Sequence, residues 1–404
     1  MLLNDSPGSR FFDAAARPAI QNLGASRIRE VANAGMGRAD VLPFWFGEPD
    51  ETTPAFIRDA AKAALDGGDT FYTQNLGIAP LREAIARYQS ALHRPIDVER
   101  VGVTSSGVSA LMLLAQLIIS PGDRVVAVTP LWPNLVEIPK ILGAEVEQVS
   151  LKFGQTWELD LQQLLDALTP DTRAVFINSP NNPTGWVITP AQQEAILAHC
   201  RRHGIWIMAD DVYERLVYTD APGGRRCAPS FLDIAEPDDR LISANSFSKS
   251  WLMTGWRLGW VVAPAAMTAD LGKLIEYNTS CAPGFVQRAG IVAIERGEEV
   301  VEHSVARYQA ARDFLYDKLN AEPFRRAGIT SPRPHGAMYL FFRVEGETDT
   351  LALCKRLVAE AGLGLAPGIA FGAEGEGYIR WCFASSLARL ADGVDRLERF
   401  LLSR

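Results

Sequence analysis

Cysteine is scarce in this chain of 404 residues, which has five cysteines and no CxxC pair. An odd, dispersed set does not suit a disulfide framework, so we expect reduced thiols packed as small hydrophobic residues. Long hydrophobic runs are missing too: the longest apolar stretch, residues 108–119, is too short to cross a membrane and includes Ser109 and Gln116. The first residues, with Asn4 and Asp5, show no apolar core of a secretory signal. These absences predict a cytoplasmic protein without a membrane partner.

A surplus of basic charge is also absent, since 40 Lys and Arg stand against 48 Asp and Glu and the net charge is −8. We therefore expect no nucleic-acid partner, because a phosphate backbone needs a basic surface. Metal ligands are sparse as well. His199 and His203 stand four residues apart in a helical segment, but no acidic or thiolate third ligand lies near them in sequence. We expect a solvated helix face there, and no metal site.

Short apolar runs rich in β-branched residues alternate with helical patterns between residues 100 and 262. Thr189 followed by Pro190 marks the start of one helix and Gly204 its end, while Asp160 caps another. This alternation predicts an α/β fold, with a mainly parallel seven-stranded sheet between helices. The predicted strands are residues 101–103, 124–128, 145–151, 173–177, 205–208, 241–244 and 258–262.

The pattern changes after about residue 283, where longer helices and fewer strands predict a smaller α+β domain. Residues 286–319 are predicted to form a long helical region, and residues 338–344 and 378–383 to form strands. The chain is too long to pack around one ordinary hydrophobic core, so its length suits two domains. We assign residues 1–45 to an N-terminal arm with part of the small domain, residues 46–285 to the large domain and residues 286–404 to the small domain.

Unusual polar residues follow the predicted strands: residues 105–107 (SSG), residues 178–185 (NSPNNPTG), Asp210 with Asp211, and residues 246–249 (SFSK). Ligands of open parallel sheets bind at the carboxyl ends of the strands, so these residues should converge on one crevice. Asp211 has a second interpretation as the N-cap of a helix.

The residue types at this crevice suggest one place for an anion and one amine that can attack an aldehyde. Small residues at 105–107 before a helix start make an anion cradle, and Arg257 is a planar donor suited to phosphate. Lys249, desolvated and near other cations, is expected to have a lowered pKa and to attack an aldehyde. A partly buried Asp210 needs a cationic partner.

Four segments carry a family resemblance in one order and spacing: residues 46–50 (FGEPD), 178–185, 246–249 and 255–259 (GWRLG). With them the chain resembles, from Gly47 to Arg380, the class I/II aminotransferases of the fold-type I enzymes that use pyridoxal 5'-phosphate (PLP). The resemblance implies that Lys249 forms the Schiff base and acts as the proton-transfer group, with Asp210 and Tyr213 as the other catalytic residues.

The resemblance also assigns the binding residues. Asp210 would pair with the ring nitrogen of PLP, Asn182 and Tyr213 would bond its phenolic oxygen, and Trp132 would stack on its ring. Gly47, Asn182 and Arg380 would meet the substrate, with Arg380 on the α-carboxylate. Tyr72 would reach the phosphate of a neighbouring subunit, which implies a homodimer with shared active sites. The residues implied for the phosphate of the same subunit are Ser106, Gly107, Val108, Ser246 and Arg257.

The implied reaction is ping-pong transfer of an amino group between an L-amino acid and a 2-oxo acid. A PLP-dependent β-elimination lyase would use the same cofactor residues, and a non-catalytic PLP-binding regulatory domain is an alternative of another class. The chain departs from the family pattern at Ser106, where glycine is common, and at His335. Bulky Trp381 and Phe383 near Arg380, with Trp132, favour neutral or aromatic substrates.

Overall fold

A computed structural model describes residues 16–221 and 227–402. Its largest feature is a seven-stranded sheet in which six strands run in one direction and Gly259–Val262 runs antiparallel to both of its neighbours. In spatial order the strands are Val101–Thr104, Gly259–Val262, Leu241–Ser246, Trp206–Asp210, Thr172–Asn178, Arg124–Thr129 and Glu145–Ser150.

The seven predicted strands are the seven strands of this sheet, with ends that differ by one or two residues. Their central members are buried on both faces, as runs such as residues 173–177 require. Helices cover the sheet and supply the rest of its core. The helices of this part are Ala55–Asp66, Ala79–Leu92, Gly107–Ile118, Asn134–Ile141, Leu161–Ala167, Pro190–His203, Phe247–Ser250, Ala265–Glu276 and Gly284–Arg296.

The predicted helix ends are confirmed by their hydrogen bonds. The Thr189 hydroxyl accepts from the N–H of Gln192, whose side chain accepts in return from the N–H of Thr189. Gly204 ends the helix in the left-handed conformation, at φ 68°. The Asp160 carboxylate accepts from the N–H of Gln163 at 3.1 Å. These caps satisfy N–H groups that have no partner inside the helix.

A smaller domain is built on a four-stranded antiparallel sheet, in the order Ile329–Thr330, Tyr339–Val344, Tyr378–Cys382, Ala366–Pro367. The predicted helical region 286–319 is two helices, Gly284–Arg296 and Glu298–Leu319, which meet at Gly297. The fold class is therefore confirmed. The other helices of this part are Pro18–Gln21, Arg27–Gly35, Thr350–Arg356 and Leu387–Leu402.

The predicted domain bounds remain a prediction, and residues 1–15 of the predicted arm, with Asn4 and Asp5, lie outside the described residues. Leu42–Pro43 pairs in parallel with Leu363–Gly364, so residues before 46 do contact the C-terminal part of the chain. Among the described residues, no helix is long and apolar enough to cross a membrane. All five cysteines are free thiols.

The histidine pair of the helix Pro190–His203 has local partners. The His199 Nε2–H donates to the carbonyl of Leu168 at 2.7 Å, and the two rings lie 4.5 Å apart. In the described part of the chain, no group of three or more His, Cys, Asp or Glu side chains is arranged to hold a metal ion.

Candidate active site

The polar segments that follow the large-sheet strands surround one cavity. The carboxyl ends of parallel strands meet at one edge of a sheet, which brings together residues far apart in sequence. The lining residues are Gly107, Val108, Trp132, Asn178, Asn182, Asp210, Val212, Tyr213, Ser246, Ser248, Lys249 and Arg257. Nine of the predicted site residues are among them, and Ser106, Gly47, Arg380 and Tyr72 are not.

Lys249 projects into this cavity from the short helix Phe247–Ser250, directly after the strand Leu241–Ser246. Its amine donates to the carbonyl of Gly47 at 2.5 Å and lies 5.9 Å from the centre of the Tyr213 ring. Burial of the amine lowers the pKa of Lys249 to about 8. A substantial fraction of the amine is therefore neutral and nucleophilic at mildly alkaline pH.

Asp210 ends the strand Trp206–Asp210 and is 4% exposed. Its carboxylate accepts from the N–H of Val212 at 3.3 Å, and no cation of the described residues forms an ion pair with it. Burial raises the pKa of Asp210 to about 7, since its charged form is poorly solvated. A cationic ligand group beside this carboxylate would stabilise its ionised form.

The loop of residues 178–185 holds one amide toward the cavity by internal hydrogen bonds. The Asn178 side chain donates to the carbonyl of Asp210 at 3.1 Å and accepts from the N–H of Asn182 at 2.8 Å. The Asn181 amide oxygen accepts from both the N–H and the hydroxyl of Thr184. The loop thus fixes Asn182, whose amide oxygen in turn accepts from Arg380 at 3.0 Å.

Arg380 lies beside the cavity on the strand Tyr378–Cys382 and is 2% exposed. One guanidinium nitrogen donates to Asn182, a second donates to the carbonyl of Trp45, and the buried Nε has no partner. Its carbon Cζ lies 4.5 Å from the ring of Tyr339 and 4.9 Å from that of Phe371. Among the described residues no carboxylate forms a salt bridge with Arg380.

The predicted anion cradle stands at the start of the helix Gly107–Ile118. The Ser106 hydroxyl caps this helix by accepting from the N–H of Ser109 at 3.0 Å. Ser106 has φ 150° and ψ 164°, a conformation almost confined to glycine, which accounts for the glycine common there in the family. A Cβ on Gly259 would lie 2.7 Å from the backbone of Ser106 and Gly107, so only glycine permits this approach.

Two predicted residues lie at the margins of the site. Gly47 offers its carbonyl to Lys249, and a Cβ on it would lie 2.0 Å from the hydroxyl of Tyr339. Tyr72 is 89% exposed and does not line the cavity of its own chain. Its neighbour Phe71 is exposed as well.

Sequence reasoning missed Tyr339, whose hydroxyl is 2.6 Å from that of Tyr213. It also did not single out Asn178, Val212 and Ser248, which line the cavity. An available signal was the aromatic residue three positions after Gly336. Its place beside Arg380 depends on the pairing of two strands, which the sequence did not reveal.

A family model described as aminotransferase class I and II matches residues 39–397. The chain belongs to this family. This aminotransferase is 34% identical to an aspartate aminotransferase of Thermotoga maritima over 90% of its own chain and 92% of the relative. It is 31% identical to aromatic-amino-acid aminotransferase 2 of Thermococcus litoralis, over 95% and 97% of the two chains. A solved aspartate aminotransferase structure from Thermotoga maritima matches with a TM-score of 0.86 at 32% identity, covering 96% of this chain and 100% of that one.

The predicted function is confirmed at the level of the reaction: the chain is a PLP-dependent aminotransferase. The family and these relatives are named as aminotransferases, which supports transamination as the reaction.

Behind the cavity lies a second group of polar side chains, the rear cluster, of which all but the partly buried Asp233 are buried: Gln89, His93, Asp211, Glu214, Ser230, Asp233 and Ser243. The Asp211 carboxylate accepts from the hydroxyls of Ser230 and Ser243 at 3.2 and 2.7 Å. No helix starts after Asp211, so its interpretation as an N-cap is wrong.

His93 is the centre of the rear cluster, with 3.0 Å from its Nδ1 to Asp233 and 3.1 Å from its Nε2 to Glu214. Burial opposes the charged imidazolium, but hydrogen bonds with the two carboxylates outweigh it and raise the pKa of His93 to about 10. Burial, with Glu214 nearby, raises the pKa of Asp211 to about 7.

Proposed function

We propose that Lys249 holds the aldehyde of PLP through its amine, with the ring nitrogen on Asp210 and the phenolic oxygen on Asn182 and Tyr213. Trp132, which lines the same cavity, would cover the ring face. The phosphate would lie on the backbone of Ser106, Gly107 and Val108, with Ser246 and Arg257 beside it. The positive end of the helix Gly107–Ile118 favours an anion at this point.

The single observation that carries this assignment is that one cavity holds two buried ionisable groups, the carboxyl of Asp210 and the amine of Lys249. Asp210 has no cationic partner among the described residues, and the Lys249 amine has a pKa lowered to about 8 by burial. A pyridinium nitrogen supplies the missing cation, and an aldehyde takes the neutral amine. The chain's own residues therefore fit the cofactor.

The bound cofactor would supply a conjugated ring that accepts electrons from the α-carbon of the substrate. Asp210 keeps the proton on the ring nitrogen by its opposite charge. Lys249 Nζ, freed from the aldehyde by the amine of the substrate, would take the proton from the α-carbon of the amino acid and later serve as the acid. The carbonyl of Gly47, 2.5 Å from Nζ, fixes the position of this amine. A 2-oxo acid leaves before the second oxo acid binds, so initial-rate plots should be parallel.

Arg380 is proposed to bind the α-carboxylate of the substrate. Its Nε is buried without a partner among the described residues, and the rings of Tyr339 and Phe371 pack against the guanidinium. Charge-assisted hydrogen bonds of this kind contribute roughly 1.5–3 kcal/mol each. Gly47 leaves the space beside Tyr339 that a side chain would fill.

Neutral or aromatic amino acids are the proposed donors. The cations that line the cavity among the described residues, Lys249 and Arg257, are both assigned to the cofactor, which leaves no lining cation for an acidic substrate side chain. The panel that tests this consists of L-alanine, L-phenylalanine and L-aspartate, each with pyruvate and 2-oxoglutarate as acceptors. We expect kcat/KM for L-phenylalanine or L-alanine to exceed that for L-aspartate, and the reverse order would reject this substrate class.

We propose a homodimer in which Tyr72 reaches the phosphate site of the other subunit. Phe71, Tyr72 and Tyr277 are 83%, 89% and 91% exposed, an arrangement of aromatic rings that a second copy would cover. Sedimentation equilibrium should give twice the chain mass of 44.2 kDa. The free thiols, four of them buried, support the proposed cytoplasmic location.

The decisive experiment for the cofactor role is borohydride reduction of the PLP-loaded protein, followed by peptide mass mapping. Wild type should carry the reduced cofactor on Lys249, and Lys249→Ala should carry none and should lose transamination by at least about 10³-fold. Lys273→Ala is the matched control, because Lys273 is an exposed lysine whose amine forms an ion pair with Asp270. Label on another lysine of the wild type would overturn the assignment.

A further inference from the structure

Tyr339 touches both halves of the proposed site although it does not line the cavity. It is 1% exposed and opens the strand Tyr339–Val344 of the small domain. Its hydroxyl lies 2.6 Å from that of Tyr213, and its ring faces the guanidinium of Arg380 at 4.5 Å. Tyr339 is thus a direct link between the residue proposed for the cofactor's phenolic oxygen and the residue proposed for the substrate carboxylate.

Strand register explains this position. Phe341 is directly opposite Arg380, and Tyr339 is directly opposite Cys382. Side chains two residues apart on a strand share a face, so Tyr339 lies diagonally from Arg380 on the same face of the sheet. Such diagonal neighbours are within reach of long and aromatic side chains.

The segment before Tyr339 is fixed to the region that follows Asp210 in the chain. The N–H of Ala337 donates to the carbonyl of Leu216 at 2.8 Å, and the Tyr218 hydroxyl donates to the carbonyl of Ala337 at 2.5 Å. The N–H of Gly336 donates to the carbonyl of Gly185 at 3.0 Å. These bonds place the start of the strand against the loops that carry Tyr213 and Asn182.

The protons of the two phenols determine what the Tyr213–Tyr339 contact can do. Burial raises the pKa of both Tyr213 and Tyr339 above the ordinary value, so both hydroxyls keep their protons at neutral pH. One contact between two hydroxyls uses one of the two protons. Tyr213 lines the cavity and Tyr339 does not, so donation by Tyr339 leaves the Tyr213 O–H free to donate into the cavity.

We infer that Tyr339 is a positioning residue of the transamination reaction: its hydroxyl donates to Tyr213 and directs the Tyr213 O–H to the cofactor's phenolic oxygen, while its ring holds the guanidinium of Arg380 flat for the substrate carboxylate. This inference rests on the proposed roles of Tyr213 and Arg380. It separates two contributions of one side chain, the hydroxyl toward the cofactor and the ring toward the substrate.

The test compares Tyr339→Phe, which keeps the ring, with Tyr339→Leu, which removes both groups. The first measurement is the pH midpoint of the visible absorbance change of the PLP-loaded protein. A hydroxyl that accepts a hydrogen bond is a stronger donor, and donation to the phenolic oxygen weakens the hold of that oxygen on a nearby proton. Both variants should therefore move the midpoint upward, by roughly half a pH unit.

The second measurement is KM for the best donor of the amino-acid panel. Tyr339→Phe should leave KM within about twofold of wild type, because the cation–π contact with Arg380 remains. Tyr339→Leu should raise KM by about fivefold or more, since that contact is lost. A midpoint that shifts in both variants, together with a KM that rises only in Tyr339→Leu, is a result that a merely structural tyrosine would not give.

Tyr88→Phe is the matched control. It removes the hydrogen bond that the Tyr88 hydroxyl accepts from Arg215 at 3.1 Å, which is not one of the bonds that hold Tyr339 in place, and the midpoint should stay at the wild-type value. Thermal melting of all variants shows whether each one folds, and the nearly isosteric Tyr339→Phe keeps the inference testable if Tyr339→Leu does not.

Different results would overturn different statements. An unchanged midpoint in folded Tyr339→Phe would reject the role of the hydroxyl, and an unchanged KM in folded Tyr339→Leu would reject the role of the ring. A wild-type protein without visible cofactor absorbance, or with borohydride label away from Lys249, would instead reject the proposed function.

Discussion

Two neighbouring carboxylates, Asp210 and Asp211, are equally buried, and burial raises the pKa of each to about 7. Asp210 faces the cavity with one backbone N–H as its hydrogen-bond donor. Asp211 faces the rear cluster and accepts from two hydroxyls. Adjacent residues on one strand end thus belong to two environments, because successive side chains point to opposite faces of a sheet.

The cavity side and the rear cluster differ in other groups besides these two carboxylates. The cavity side holds a carboxylate without an ion pair and a nitrogen without a partner among the described residues, Asp210 and the Nε of Arg380, and it holds the backbone of Ser106 and Arg257 at positive φ. In the rear cluster, His93 is hydrogen-bonded through both ring nitrogens. Stored strain and unpaired charge mark the region where a ligand binds, and satisfied hydrogen bonds mark the region that supports it.

The largest expected effect tests the two carboxylates against each other. Asp210→Ala should lower kcat/KM for transamination by about 10³-fold and weaken PLP binding, with little loss of stability, because the cofactor cation loses its partner. Asp211→Ala should lower the free energy of unfolding by about 1–3 kcal/mol, since two hydroxyls lose their acceptor. Steady-state kinetics and urea unfolding of the apoprotein measure both. Equal kinetic losses in the two variants would erase the distinction between cavity side and rear cluster.

The next effect concerns the charge of His93. His93→Gln removes the imidazolium between Glu214 and Asp233, and the free energy of unfolding should fall by about 2–3 kcal/mol near pH 6. The folded pKa of about 10 lies above the unfolded value, so this stabilisation is complete below about pH 6.5 and is lost as the pH rises toward 10. Urea unfolding at several pH values should show the difference between wild type and variant shrinking across that window.

The control for His93 is His303→Gln, because His303 is an exposed histidine on the helix Glu298–Leu319. It should change the free energy of unfolding by less than about 0.5 kcal/mol. A wild-type minus His93→Gln difference that stays constant from pH 6 to pH 10 would show that the rear cluster does not depend on the charged imidazolium.

The smallest expected effect tests the strain on the cavity side. Ser106→Gly should raise the free energy of unfolding by about 0.5–2 kcal/mol, because relief of a conformation that costs about 1–3 kcal/mol exceeds the few tenths lost with the cap. Ser106→Ala keeps the strain and loses the cap, so it should be destabilised by about 1 kcal/mol. Thermal melting of the apoproteins ranks the stability of wild type, Ser106→Gly and Ser106→Ala. A Ser106→Gly variant less stable than wild type would show that the backbone of Ser106 is not strained.

Local patterns were sufficient for much of the fold. The seven strands of the large sheet could be predicted because each is a short β-branched run. The turn and cap signals that bound each run act over only a few residues. Helix ends at Thr189, Gly204 and Asp160 followed from the same local chemistry. The break at Gly297 within residues 286–319 was missed, because both halves have a helical pattern and periodicity alone does not show where one helix ends.

The sequence alone determined that the residues following the strands of the large sheet converge on one site. The rule that ligands bind at the carboxyl ends of parallel strands needs only the order of strands and helices along the chain. Only the tertiary structure decided that Tyr339 lies against both Tyr213 and Arg380, and that Asp211 turns away from the cavity into a cluster with His93. The physical reason is that these contacts join separate segments of the chain, 126 residues apart for Tyr213 and Tyr339, through strand register and domain packing, and no local pattern records which of their side chains share a face.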